Sequence, residues 1–313
     1  MTAPSHGTPR RPLVVAAIGG NALLHRGQPP EIDIQRANVR DAAAVLAALA
    51  EDHRLVITHG NGPQVGLLAR QSEALAGVAP VPFDVLAAES EGLIGYLLVE
   101  ELSRHLGADR VSVVLTRVVV DRDDPAFGAP SKPIGAVLSE QDARRLAALH
   151  GWAVAPDGAH WRRVVASPEP LEIVEHDAIE VLLHAGQVVI CAGGGGIPVH
   201  RDTEGVLRGV EAVIDKDLTS ALVAERLGAG DLLILTDVDA VYRDWGTDRA
   251  APIRAATPAE LRAIRWPAGS MGPKVEAACR FVERSSAGVA RIGALGAAAA
   301  VLRGDAGTTV SSR

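Results

Sequence analysis

Leu13-Val14-Val15-Ala16-Ala17-Ile18-Gly19-Gly20-Asn21-Ala22 decides the fold, because an uncharged, β-prone run stops at a double glycine and a new segment begins. The same arrangement returns at Arg54 to Thr58, followed by His59-Gly60-Asn61-Gly62-Pro63-Gln64, and at Gln187 to Ala192, followed by Gly193-Gly194-Gly195-Gly196. Helical patterns near Asp33 to Glu51, Gly62 to Ala76 and Asp84 to Leu106 separate the early runs. Short β-branched runs alternating with long amphipathic segments predict strands that cross over through helices, hence a mainly parallel sheet of the α/β class. The alternation continues with a strand at Arg110 to Leu115, a helix at Glu172 to His184, a helix at Lys216 to Leu227 and a strand at Asp231 to Leu235. A helix at Lys274 to Ser285 and an apolar strand at Val289 to Ile292 complete it. No internal repeat interrupts the pattern.

Between about Val120 and Ser167 the order dissolves into Asp, Pro, Gly and Trp around one short helix, Ser139 to His150. Trp152, Trp161 and Val164-Val165 give this stretch an apolar content foreign to disordered insertions, so a folded, protruding flap is expected.

Bulk properties exclude several functions. At 313 residues and 48% hydrophobic, the chain can bury a large core. A net charge of −7 with no basic stripe gives neither nucleic acid nor an anionic membrane a surface to bind. Cys191 and Cys279 sit among apolar neighbours and form no metal or disulfide spacing. Arg10-Arg11 ahead of an apolar run resembles a signal sequence, but Gly19-Gly20-Asn21 interrupts it too early, and the Ala-rich stretch between Arg291 and Arg303 is too short to span a bilayer. A cytoplasmic protein is expected.

In a parallel sheet the three glycine turns share the carboxyl edge of the strands, where ligands of open α/β proteins collect. Glycine lets main-chain amides approach an anion closely, and a following helix adds its positive end. Asn21 and Asn61 add neutral amide donors. None of the turns is a dinucleotide loop or a P-loop, and no metal-hydrolase or serine-hydrolase pattern occurs.

The chain has only three lysines, Lys132, Lys216 and Lys274, among 31 Lys and Arg residues. An ammonium is a compact charge with rotating donors, suited to a phosphoryl group in motion. Lys216 stands between Asp215 and Asp217 at a helix start, where an N-cap aspartate beside a solvated lysine is the competing reading. Lys274 opens a helix after Gly269-Ser270-Met271-Gly272-Pro273, a place unfavourable to a cation unless an anion joins it. Lys132 belongs to the flap, either as an exposed loop charge or as a cation that closes over the reacting group. Thr236-Asp237-Val238-Asp239-Ala240-Val241-Tyr242 follows a strand and offers polar groups to a ribose or base, or simply a capped turn.

Taken together, these motifs resemble the carbamate kinases of the amino acid kinase superfamily, in the same order from Leu13 to the Gly304-Asp305-Ala306-Gly307-Thr308 tail. The resemblance implies one domain over 1–313, a three-layer αβα sandwich with a central, mainly parallel sheet. It implies an N-terminal lobe (12–186) for carbamoyl phosphate, including the flap at about 120–167, and a C-terminal lobe (187–313) for the nucleotide. The implied reaction is ATP plus carbamate giving ADP and carbamoyl phosphate, usually run toward ATP, with Mg²⁺, in a homodimer. Carried over, Gly19, Gly20, Asn21, Gly60, Asn61 and Gly62 would hold carbamoyl phosphate, with Lys132 reaching in from the flap. Lys216 and Lys274 would neutralise the phosphoryl and nucleotide phosphates, with Asp215 orienting them. Gly194, Gly195, Asp217, Thr236, Asp237, Val238, Tyr242, Met271 and Gly272 would border the nucleotide. Ala17 occupies the place where acetylglutamate kinases carry a lysine, and Val164-Val165-Ala166-Ser167-Pro168 and Ser131 depart slightly from the pattern. A kinase of another small acid, or a sensor without turnover, remains the alternative.

Overall fold

The computed structural model describes residues 11–20, 23–25, 27–75, 77–266 and 271–313. Asn21, together with Gly269 and Ser270 of the motif before Lys274, lies outside the described residues.

The chain opens with β1 (Leu13–Ile18), α1 (Ile32–Asp52), β2 (Arg54–His59), α2 (Gly62–Glu73) and α3 (Phe83–Leu106). Next come β3 (Val111–Val114), β4 (Arg117–Val119), β5 (Lys132–Leu138), α4 (Glu140–His150), β6 (Ala153–Asp157) and β7 (His160–Val165). β8 (Glu172–Ile173), α5 (His176–His184), β9 (Val188–Cys191), β10 (Ile197–Arg201), β11 (Leu207–Gly209), α6 (Lys216–Arg226) and β12 (Asp231–Thr236) follow. The last part holds β13 (Val241–Arg243), β14 (Ala251–Ile253), β15 (Ala255–Ala256), α7 (Pro258–Arg262), α8 (Met271–Arg284), β16 (Val289–Ala294), α9 (Ala298–Arg303) and β17 (Thr308–Val310).

Eight strands form the central sheet in the order β15-β17-β16-β12-β1-β2-β9-β3. β17 runs antiparallel to β16 and the other pairs are parallel. Every residue of β1 is buried, as a central parallel strand requires, so its sequence is continuously apolar rather than alternating. Successive side chains nevertheless divide between two layers. Leu13 and Val15 pack with α5, α6 and α8, whereas Val14, Ala16 and Ile18 pack with α1, α3 and α9. Fully burying one such side chain contributes about 1.5–3 kcal/mol. Helices on both faces make the three-layer sandwich.

The flap is a three-stranded antiparallel sheet, β5-β7-β6, backed by α4. Its strands run from Lys132 to Val165, and Arg117–Val119, ahead of the expected 120–167, pairs with β10 and β8 in a separate four-stranded sheet, β11-β10-β4-β8. β5 docks on α2 main chain to main chain: a Cβ added to Gly66 would stand 2.9 Å from the Cα of Gly135. Arg163 on β7 also ties the flap to α2, 2.9 Å from Glu73 and stacked over Phe83 and Trp152.

One expectation needs correction. Glu172 to His184 is not one helix, since Ile173 and Glu172 pair with Val118 and Val119 before α5 begins at His176. In the central sheet β9 inserts between β2 and β3, both from the N-terminal segment.

Candidate active site

Four strands lie side by side in the order β9, β2, β1, β12, and their carboxyl ends carry the turns singled out in the sequence. These are the 3-10 turn Gly193–Gly195, His59 to Asn61, Gly19-Gly20 and Thr236 to Val238. The main chains touch. Gly60 donates its N–H to the Ile18 carbonyl at 3.0 Å and Gly19 donates to Leu235 at 3.0 Å. A Cβ on Gly60 would stand only 2.7 Å from the Gly20 nitrogen, so this approach needs glycine. Asn61 is 5% exposed and gives an amide hydrogen to Ser90 at 2.8 Å, while Gly62 is exposed where α2 begins.

Gly194 and Gly195 lie after β9, which β2 and β1 separate from β12. A Cβ on Gly194 would be 2.1 Å from the Asn61 amide nitrogen, and one on Gly195 would be 2.5 Å from the Ile214 carbonyl oxygen. These glycines therefore pack the Asn61 turn against the entry to α6.

The three lysines converge on two aspartates at the start of α6. Asp215 is the N-cap of this helix, accepting from the amides of Asp217 at 2.9 Å and Leu218 at 3.4 Å through Oδ1. Its Oδ2 accepts from Lys132 Nζ at 2.5 Å, which ties the flap to the helix. Asp217 takes Lys216 on one oxygen at 2.5 Å and Lys274 of α8 on the other at 3.1 Å. The sequence reading gave Asp215 the task of orienting Lys216 and Lys274. Because the helix amides occupy one Asp215 oxygen and the flap lysine the other, the bridging position between α6 and α8 falls to Asp217.

Asp217 is only 3% exposed. Burial alone would raise its pKa, but the charges and hydrogen bonds of Lys216 and Lys274 outweigh that and hold it well below the usual carboxylate range. Burial lowers the Lys216 pKa, with Asp217 opposing and the like charge of Lys274 adding. Burial acts on Lys274 in the same sense, yet Asp217, backed by Asp215 and Asp237, carries its pKa above the usual lysine range. Three ammonium groups meet two carboxylates, and the surplus positive charge lies at a helix N-terminus beside glycine turns.

On the far side, Thr236 donates to Asp237 at 3.0 Å, and the Asp237 charge reaches Lys274. Met271 and Gly272 form the first turn of α8, the turn that carries Lys274. Tyr242 is apart: its hydroxyl donates to Asp239 at 2.8 Å and its ring lies edge-on to Trp245. Among the described residues, these contacts hold Tyr242 to Asp239 and Trp245 and not to the lysine cluster.

The sequence profile of the amino acid kinase family matches residues 12–291. The chain belongs to the amino acid kinase family. Within the family it is 51% identical to "Carbamate kinase" of Escherichia coli (strain K12), over 95% of this chain and 99% of that protein. It is 44% identical to "Carbamate kinase" of Pyrococcus furiosus, over 86% and 90% of the two chains. The structure of carbamate kinase from Giardia lamblia bound to AMP-PNP superposes with a TM-score of 0.87 at 38% identity, covering 96% of this chain and 98% of that one.

Sequence reasoning passed over the polar groups beneath the family's glycine turns. Thr58 and Ser220 share a hydrogen bond of 2.6 Å that fixes β2 to α6, and Thr219 donates to Gly195 at 3.0 Å. Ser90 and Glu91, both fully buried on α3, reach the turns from below. Their setting, Ala88-Glu89-Ser90-Glu91-Gly92, reads as a solvated helix face, and the only local hint is two polar residues in register with Ala87 and Ile94.

Proposed function

We propose that this protein is a carbamate kinase, transferring a phosphoryl group reversibly between ATP and carbamate and giving ADP and carbamoyl phosphate. The observation that carries this reading is the convergence of Lys132, Lys216 and Lys274 on the Asp215 and Asp217 pair beside the glycine turns. Phosphoryl transfer requires alignment and positive charge around the equatorial oxygens and little covalent help from the protein. In this reading the main-chain amides at Gly19-Gly20 and Gly60, with Asn21 and Asn61, cradle carbamoyl phosphate. Lys132 enters from the flap and excludes water. Lys216 and Lys274 follow the phosphoryl group as it passes, their free N–H donors swinging from Asp217 to its oxygens. Carbamate already carries its negative charge, so no side chain has to remove a proton from it. Thr236 to Val238, Met271 and Gly272 border the nucleotide.

Mg²⁺ belongs to the nucleotide in this proposal. Among the described residues no group of three or more His, Cys, Asp or Glu side chains could hold a resident ion, and both active-site carboxylates are bonded to lysines. The ion would ride on the nucleotide phosphates and add charge neutralisation there. We place the physiological direction toward ATP, in arginine catabolism and in the cytoplasm; among the described residues no helix is long and apolar enough to cross a membrane. A homodimer is also part of the proposal. β3 is an edge strand, and Val113, Leu115 and the neighbouring Tyr96 of α3 are 37%, 50% and 56% exposed, an apolar strip suited to a second copy.

The test is ATP formation from carbamoyl phosphate and ADP, coupled to a hexokinase readout. Wild-type protein should turn over with Mg²⁺, and Lys216→Arg should lose about 10²-fold or more in kcat, because a planar fork cannot replace a mobile ammonium. Near-normal turnover of the Lys132→Met, Lys216→Met and Lys274→Met variants alike would overturn the assignment.

A further inference from the structure

We infer that Ser90 and Glu91, adjacent on α3, are positioning residues for the carbamoyl phosphate side of the site. The inference rests on the proposed carbamate kinase reading. Glu91 has no exposed surface and no cationic partner among the described residues. Its carboxyl group is instead divided between two strand-end turns. Oε1 accepts the Gly193 N–H at 2.8 Å, after β9, and Oε2 accepts the Thr116 N–H at 3.1 Å, after β3. Thr116 extends the strap, because its hydroxyl accepts from the Ala192 amide at 2.9 Å and donates to Val114 at 2.7 Å.

Ala192 sits between these bonds with φ 51°, a left-handed conformation that a residue with a Cβ adopts only when its surroundings dictate it. The Glu91 and Thr116 bonds supply that dictation. They fix the direction in which Gly193 and Gly194 leave the sheet, and Gly194 is the glycine wedged against the Asn61 side chain. Ser90 acts on the same asparagine from the other side, accepting its amide hydrogen at 2.8 Å while donating to the Ala87 carbonyl at 2.9 Å. One turn of α3 therefore sets both the orientation of the Asn61 amide and the wall behind it. Among the described residues the second amide hydrogen of Asn61 meets no acceptor, which leaves it for an oxygen anion.

The surroundings leave little room for adjustment. His59 lies between the two turns, and a Cβ on Gly193 would stand 2.4 Å from its Nε2, a buried atom without a hydrogen-bond partner among the described residues. Burial first, opposed by the bond to the Gly60 carbonyl and reinforced by the Lys216 charge, lowers the His59 pKa to about 4, so the ring stays neutral. Burial raises the Glu91 pKa, and the Thr116 and Gly193 N–H groups, which both oxygens accept only in the ionised form, oppose it. A carboxyl group with no counter-ion is retained here because its two oxygens match two N–H groups facing each other, a geometry an amide side chain cannot supply.

Glu91→Gln tests this directly, since it keeps the shape and turns one acceptor into a donor facing an N–H. Kinetics with varied carbamoyl phosphate and varied ADP should show kcat reduced about ten- to a hundredfold and KM for carbamoyl phosphate raised, with KM for ADP within about twofold. Ser90→Ala, a smaller change, should raise KM for carbamoyl phosphate by about threefold to tenfold, and Ser90→Thr, which keeps the hydroxyl, should recover most of it. Wild-type constants in both Glu91→Gln and Ser90→Ala would overturn the inference while leaving the kinase reading standing. Parallel loss for both substrates with lost ADP binding by calorimetry would also overturn it, showing a general fold defect. A wild-type protein that makes no ATP would remove the kinase reading itself, and the inference with it.

Discussion

Replacing Asp217 by Asn isolates the contribution of the bridging carboxylate. The substitution keeps size and shape but leaves Lys216 and Lys274, 2.5 and 3.1 Å from the lost charge, facing each other without it. Removing one member of a buried ion pair costs about 3–5 kcal/mol, and a carboxylate serving two cations belongs at the upper end. For a chain of 313 residues that corresponds to a fall of about 5–8 °C in melting temperature. The sign with pH follows from the lowered Asp217 pKa. A carboxylate whose folded pKa lies below its unfolded value of 3.8 contributes fully above that value and loses the contribution as pH falls through the folded pKa. The gap between wild type and variant should therefore be complete at about pH 7 and narrow only in acid. In the variant, burial and the Lys274 charge act on Lys216 without Asp217 to oppose them, so its ammonium gives up its proton at lower pH. The alkaline limb of kcat should move to lower pH accordingly. Thermal melts across acid and neutral buffers, paired with the coupled ATP assay, read both effects. Unchanged melting together with an unmoved alkaline limb would refute the bridging role.

Two further outcomes are expected. Gly60→Ala pushes a methyl group against Gly20, 2.7 Å from its nitrogen and 3.1 Å from its Cα, which should cost about 1–3 kcal/mol by chemical denaturation and raise KM for carbamoyl phosphate. Cys191 and Cys279 are buried, and burial raises both thiols, Cys279 to about 11, so a disulfide-exchange thiol reagent should titrate neither in native protein and both in denaturant.

The sheet and its turns were legible because the strands β1, β2, β9 and β12 are buried on both faces and end at glycine or a polar turn. The start of α6 was legible as a lysine between two aspartates, but which carboxylate meets which lysine depends on where the flap and α8 arrive. Glu172 to His184 misled because Leu171, Ile173 and Val174 continue the apolar spacing of α5, and pairing with β4 decides against helix there. β10 and β11 were overlooked although Asp202-Thr203-Glu204-Gly205 marks the turn between them. Ser90 and Glu91 carried no usable signal, since only the crossing of α3 beneath two distant strand ends gives their polarity a purpose.

Adjacent strands in any sheet stand about 4.8 Å apart, so β2, β1 and β12 would act as the graduations of a ruler under substrates bound as proposed. In the proposed reading, the separation between the acceptor's seat on the first two and the donor's seat on the third is set by backbone hydrogen bonding, which no side-chain change can stretch. On this scaffold a longer acid can be admitted only by reshaping what stands above the scale, namely the flap and the turn after β1. Evolution of acceptor choice should therefore be recorded in those segments, while the distance the phosphorus atom travels stays the same.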